Sequence, residues 1–224
     1  MQEYIKPMLP AELSRPFDNE DWLFEKNYGG FRTIAVKSKG KAHIYANKSQ
    51  LLNQDFPEIV SELSNFPSDF VIDGEIVVLD ESGWPDPEKL IRYHDYKNQP
   101  VRFLAFDLLQ VEGQSLLRTP LMNRKEFLKK VLPPNTLHVQ FLNFVTGNGC
   151  DLYRSAILED IEGITAKNIY GVYRPGKISS DWLKVRVRKD PEIHLHGLIQ
   201  PHIVHKKTGS VIAEQTEIKH AHDK

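Results

Sequence analysis

The amino-acid sequence predicts an α+β domain built on antiparallel sheets rather than a doubly wound parallel one, and three observations carry that prediction. Short β-branched and aromatic runs dominate the first half, helical spacing interrupts them without a regular repeat, and no Gly-x-Gly-x-x-Gly turn opens any helix. Trp22-Leu23-Phe24, Thr33-Ile34-Ala35-Val36 and Ala42-His43-Ile44-Tyr45 are the first strands, the last two joined by a hairpin turn at Lys39-Gly40-Lys41. From Phe56 to Leu63 the apolar residues fall at helical spacing, with Pro57 suited to a first turn because the N–H it lacks would be unpaired there anyway. Phe70-Val71-Ile72, Ile76-Val77-Val78-Leu79 and Arg102-Phe103-Leu104-Ala105-Phe106 read as buried strands. A second helix runs from Arg124 to Val131 and is closed by Pro133-Pro134.

Composition bounds the function class. With 224 residues and 40% apolar content the chain is an ordinary globular protein, large enough for one sizeable core or a domain with an appendage. A net charge of −1 argues against an all-over basic nucleic-acid binder but leaves room for a local patch. The lone Cys150 excludes an internal disulfide framework and suits a reducing compartment as a small, partly buried residue. Met1-Gln2-Glu3-Tyr4 lacks a basic-then-apolar pattern, and no apolar run reaches the roughly 18 residues of a membrane span. The expectation is a cytoplasmic protein that does not enter the membrane.

Three segments bear chemistry. Asp73-Gly74-Glu75 lies between apolar strands, so two carboxylates flank a Gly where backbone can approach a ligand; taken alone it also reads as a bulge with solvated acids. Glu162-Gly163-Ile164-Thr165-Ala166-Lys167 is another acid-Gly turn, leading into a strand that ends in Lys. In Trp182-Leu183-Lys184-Val185-Arg186 the period of two puts Lys184 and Arg186 on one strand face, a pair suited to polyphosphate or to simple solvation. Between Arg174 and Lys189 stand six cations, Arg174, Lys177, Lys184, Arg186, Arg188 and Lys189, against the single acid Asp181. This is a candidate contact strip for nucleic-acid phosphates.

The stretch Glu25-Lys26-Asn27-Tyr28-Gly29-Gly30-Phe31-Arg32 resembles the nucleotidyltransferase signature Lys-x-Asp-Gly-x-Arg, whose Lys amine attacks the α-phosphate of ATP and carries the nucleotide as a phosphoramidate. With the segments above, and with Phe106-Asp107-Leu108-Leu109, Tyr173-Arg174-Pro175-Gly176 and Ser180-Asp181-Trp182-Leu183-Lys184, the chain resembles the ATP-dependent DNA ligases, especially the bacterial ligase-D type, over about residues 13 to 188. The resemblance implies an adenylation-domain fold: two antiparallel sheets with flanking helices around an ATP cleft. It implies Glu25 beside the adenine, Glu75 on the ribose and Phe106 stacked on the base. Glu162 would help hold Mg2+, Lys167, Lys184 and Arg186 would surround the phosphates, and Arg32 would lie near the nucleotide or a DNA 5′-phosphate. Nicked double-stranded DNA, with other DNA end-repair proteins, is the implied partner, and nick sealing in repair and recombination the implied activity.

Four departures from that pattern stand out. Asn27 occupies the nucleophile position, and its amide nitrogen, delocalised into the carbonyl, cannot form the adenylate. Gly29 replaces the acid, and Asn47 stands where the family has an Arg. Only 38 residues follow Arg186, so the reading is an adenylation domain over 1–188 and a tail over 189–224 too short for the family's complete five-stranded oligonucleotide-binding barrel. Lys26 is one residue early; it would reach the α-phosphate only through a bulge, because a one-residue shift turns a strand side chain to the other face. Three readings stay open: a domain that binds nucleotide or DNA but does not adenylate itself, an active minimal ligase using Lys26, and a structural domain with no ligand. His194, His196, His202, His205, His220 and His222 in the tail lack the Cys or acid partners of a metal site and read as solvated side chains.

Overall fold

The computed structural model describes residues 4–46, 49–93 and 99–187. Two sheets face each other. The first has the order β1 (Leu9–Glu12), β11 (Ile178–Arg186), β10 (Gly163–Asn168), β2 (Asn19–Asn27) and β9 (Phe144–Gly147). The second has the order β4 (Lys41–Tyr45), β3 (Phe31–Ser38), β5 (Phe70–Val78), β6 (Val101–Val111) and β7 (Gln114–Ser115), with β8 (Val139–Phe141) also on β6. The helices are α1 (Pro57–Ser64), α2 (Pro87–Ile91), α3 (Leu121–Val131) and α4 (Gly149–Leu158).

Both sheets are antiparallel apart from two short parallel pairs, β1 on β11 and β8 on β6. Those two strands join partners distant in sequence, which a local reading of strand character does not reveal. The hairpin between β3 and β4 turns at Lys39 and Gly40, both at positive φ, the two-residue geometry that matches strand twist.

The segments read as two strands around Asp73-Gly74-Glu75 are one, β5, buried along its whole length. Its ladder with β6 slips after Val71 and after Asp73, so irregular pairing is present, but the acids are not solvated. Gly74 is needed for packing: a Cβ there would lie 2.6 Å from the Leu104 carbonyl oxygen and from the Phe103 ring. Period two then divides β5 between two cores. Ile72, Ile76 and Val78 join Phe103, Ile59, Leu63 and Leu128 beneath α1 and α3, while Val71 and Val77 join Ile34, Val36, Phe106 and Trp182 in the layer between the sheets. A third cluster, with Phe24, Ala156, Ile164 and Val185, packs α4 on the outside of the first sheet. Each fully buried Phe, Ile or Leu contributes about 1.5–3 kcal/mol, so the sheets are held rigidly enough to position side chains between them.

Helix α3 begins three residues before the sequence suggested, because Pro120 supplies its N-terminal cap position and Leu121 its first buried contact. No helix among the described residues is long and apolar enough to cross a membrane.

Candidate functional site

Between the sheets, where β2, β10 and β11 oppose β3, β5 and β6, lies a pocket of about 170 Å³. Nine of the ten residues singled out in the sequence, Glu25, Lys26, Asn27, Arg32, Glu75, Phe106, Glu162, Lys167 and Lys184, line it. Arg186 stands at its rim, 54% exposed, and reaches Glu162 and Glu12.

The strand β2 sets the first wall. It pairs with β10 without a break from Trp22↔Asn168 to Asn27↔Gly163. Alternation therefore turns Glu25 and Asn27 to one face and Phe24 and Lys26 to the other, toward α4. The Lys26 ammonium lies 2.6 Å from each carboxylate oxygen of Glu159, which also accepts a hydrogen bond from the Ser155 hydroxyl. Burial pushes Glu159 up, but these two donors outweigh it and hold the carboxyl below its ordinary pKa.

At the end of β2 the side-chain oxygen of Asn27 accepts from the Gly29 N–H at 3.2 Å, closing an Asx turn. Gly29 has φ +73°, and a Cβ there would lie 3.3 Å from Glu162 Oε2. An acid at position 29 would thus stand directly beside Glu162.

Deeper in the pocket, Glu25 is 2% exposed and sits between two lysines: Lys167 at 2.6 Å on one oxygen and Lys125, from α3, on the other. The Lys167 ammonium is 3.9 Å from the centre of the Phe106 ring and 4.1 Å from that of Trp182. Burial, only partly opposed by Glu25 and reinforced by the charge of Lys125, lowers the Lys167 pKa to about 8.

Across the cleft Arg32 grips Asp73 through two hydrogen bonds, at 2.6 and 2.5 Å, and lies 4.5 Å over the Phe106 ring. The Tyr173 hydroxyl donates to the same carboxylate at 2.6 Å. Burial works against the Arg32 charge, yet Asp73 more than offsets it and raises the guanidinium pKa. Asp73 is therefore the anchor of Arg32, and no solvated acid. Glu75, two residues on, has no such clamp, and burial pushes it up to about 7 despite Arg32 and the Tyr28 N–H.

At the outer end Glu162 Oε1 accepts from Lys184 at 2.8 Å and Arg186 at 2.5 Å. Lys184 and Arg186 do share a strand face, as period two requires. The basic strip is less positive than its sequence window, because acids arrive from other segments: Glu162 and Glu12 meet Arg186, while Arg174 pairs with the window's own Asp181. Arg188 and Lys189, Asn47 and the tail histidines lie outside the described residues.

Among the described residues no three His, Cys, Asp or Glu side chains gather as a metal cluster. A single carboxylate such as Glu162 still suits Mg2+, which is commonly held by one or two carboxylates with water and substrate phosphates completing its shell. The pocket as a whole offers buried acceptors (Glu25, Glu75), donors (Lys167, Lys184) and an aromatic face (Phe106), with no amine on its inward face at position 27.

Sequence reasoning missed Lys125, Asp73 as an anchor, Tyr173 and Glu159. For Lys125 a signal existed: Leu121, Arg124, Lys125, Leu128 and Val131 form the buried face of α3, so two cations lie on an apolar stripe. Arg124 ends in a fully buried bidentate pair with Asp107.

The profile of the ATP dependent DNA ligase domain family matches residues 7–186. The chain is 29% identical over 184 residues to the SPbeta prophage-derived DNA ligase-like protein LigB of Bacillus subtilis, covering 81% of this chain and 67% of that protein. It is 28% identical over 197 residues to the multifunctional non-homologous end joining protein LigD of Mycolicibacterium smegmatis, covering 87% of this chain but only 25% of that one. The ligase domain of M. tuberculosis LigD superposes with a TM-score of 0.72 at 25% identity, over 81% of this chain and 59% of that one. A mycobacterial DNA ligase D complexed with ATP and MES gives 0.71 at 25% identity, over 81% and 60%. The chain belongs to the family of ATP-dependent DNA ligase domains.

Proposed function

We propose that this domain binds a nucleotide and DNA ends in the pocket between its sheets but does not adenylate itself. One observation carries the reading: the inward side chain at the nucleophile position is Asn27, engaged in closing its own turn, while Lys26 points to the opposite face and is held by Glu159. An amide cannot attack the α-phosphate, and no other amine lies on that face of β2 near the turn.

On this reading Glu25 accepts from the base, Phe106 stacks on it, Glu75 meets the ribose, and Lys167, Lys184 and Arg186 neutralise the phosphates. ATP is the nucleotide, as named for the mycobacterial ligase D structure, and Glu162 would hold Mg2+, which when bound would supply charge neutralisation at the phosphates. Arg32, fixed by Asp73, presents its free edge to the nucleotide or to a 5′-phosphate. The binding domain on this reading spans residues 1–188. Nicked duplex DNA is the target, in the cytoplasm and alongside other end-repair proteins, since the relatives are named as DNA ligases and as end-joining proteins.

A second reading keeps the enzyme active with Lys26 as nucleophile. Its support is that Lys26 lines the pocket and is only partly buried. In that reaction the Lys26 amine would attack the α-phosphate of ATP and displace pyrophosphate, the nick 5′-phosphate would take AMP from the lysine, and the 3′-hydroxyl would attack that 5′-phosphate and displace AMP, with a divalent ion assisting.

The experiment is incubation with Mg2+ and ATP labelled at the α-phosphate, followed by a search for an acid-labile AMP adduct. The first reading expects none; an adduct mapped to Lys26 overturns it. Mobility shifts with nicked and intact duplex at several salt concentrations test the DNA part, which falls if the two bind alike.

A further inference from the structure

A second cavity, of about 390 Å³, opens beside the first pocket and shares Lys26 and Leu142 with it. Its size lies within the roughly 300–1,000 Å³ of clefts that hold small ligands. Tyr28, Trp84 and Phe144 give it aromatic surface, and Val77 and Leu104 an apolar floor.

Besides Lys26, the cavity is lined by Arg102, which also lines a neighbouring cavity with Glu58, Val101 and His138. Arg102 pairs with Val77 across β5 and β6, which places it on the face between the sheets. It is partly buried, donates one hydrogen bond to the neighbouring Val101 carbonyl at 2.9 Å, and makes no ion pair among the described residues. A guanidinium stays charged in proteins and carries five N–H donors, most of them uncommitted here. Every other arginine of the cleft is matched to an acid: Arg32 to Asp73, Arg124 to Asp107, Arg186 to Glu162.

A partly buried guanidinium that pairs with no acid among the described residues, in a cavity also lined by aromatic rings, suits a ligand with an anion at one end and a flat apolar face at the other. We propose that this cavity is a second nucleotide subsite, in which Arg102 takes a phosphate and the wall of Tyr28, Trp84 and Phe144 stacks a base. A nucleoside phosphate satisfies both demands, since a planar guanidinium binds phosphate oxygens in pairs and bases stack on aromatic side chains without sequence preference. The nucleotide is either free or the unpaired end of a DNA strand. The subsite does not depend on whether the protein adenylates itself.

The test is titration of the full chain with AMP, with inorganic phosphate, with a blunt 5′-phosphorylated DNA hairpin and with the same hairpin carrying a one-nucleotide overhang. Arg102→Gln should weaken the preferred ligand by about tenfold or more, Arg102→Lys should restore part of the loss, and both effects should persist in a Lys184→Met background, where first-pocket binding is weakened. Tight AMP binding identifies a free nucleotide; overhang over blunt identifies a strand end. The proposal is overturned if Arg102→Gln binds like the parent while folded, if the Arg102 effects vanish in the Lys184→Met background, if phosphate alone binds as well as AMP, or if blunt and overhang hairpins bind alike without AMP binding.

Discussion

The inner and outer ends of the first pocket hold charge in different ways. At the inner end Lys125, Glu25 and Lys167 are nearly inaccessible and join α3 to both central strands of the first sheet. At the outer end Lys184, Arg186 and Glu162 form pairs that water reaches, Arg186 being more than half exposed. A buried, interlocked charge is needed for the fold whether or not a ligand ever arrives. A solvated pair is not. The outer charges are therefore dispensable to the fold, whereas Glu25 and Lys167 hold the fold as well as facing the pocket, and positions 27 and 29, at the outer end, are where Asn and Gly are accommodated.

The strongest way to break this division is Glu25→Gln. It leaves two buried ammonium groups without their carboxylate and should cost about 3–5 kcal/mol, whereas Arg186→Gln should cost about 0.2–1 kcal/mol. Urea denaturation measures both; equal losses would dissolve the distinction. Next in size is the paired change Asn27→Lys with Gly29→Asp. A side chain in the left-handed region at position 29 should lower stability by about 1–2 kcal/mol, yet the protein should gain an acid-labile AMP adduct on the amine introduced at position 27, read by α-phosphate labelling. A folded double variant that stays unlabelled would mean that the outer end lacks more than these two groups.

Glu75 sharpens the boundary between the two ends. Its folded pKa of about 7 lies above the ordinary value near 4.3, so the folded state retains a proton that the unfolded chain has released. Stability should fall as pH rises across that interval and level off above it. Thermal melts of Glu75→Gln should lose this slope. The smallest effect expected is that of Lys26→Met: about 0.2–1 kcal/mol for a partly exposed pair, with AMP labelling unchanged from the parent.

How much of this was legible depended on distance along the chain. The cores of the main strands, the hairpin at Lys39-Gly40 and the two longer-patterned helices could be read from local periodicity, and the ordered motifs placed nine residues around one pocket. What escaped was set by partners far away. Glu159 is 133 residues from Lys26, and Tyr173 is 100 from Asp73. Helix α4, at whose C-terminal cap Glu159 stands, went unread: its buried positions are the small residues Gly149 and Ala156, which leave little apolar signal in the sequence. The charge of the strip from Arg174 onward was overestimated for the same reason: its counter-ions lie on other segments.

Trp182 gives the pocket an optical consequence. Its indole is 1% exposed and has the Lys167 ammonium 4.1 Å and the Arg32 guanidinium 5.4 Å from its centre. Cations at that range bias the energy of an excited indole, so a nucleotide that draws Lys167 toward its own acceptors should shift the emission of a tryptophan it need not touch. Trp22 and Trp84 lie outside that cluster of charges, and replacing them with Phe would leave a fluorophore whose colour reports which end of the pocket is filled.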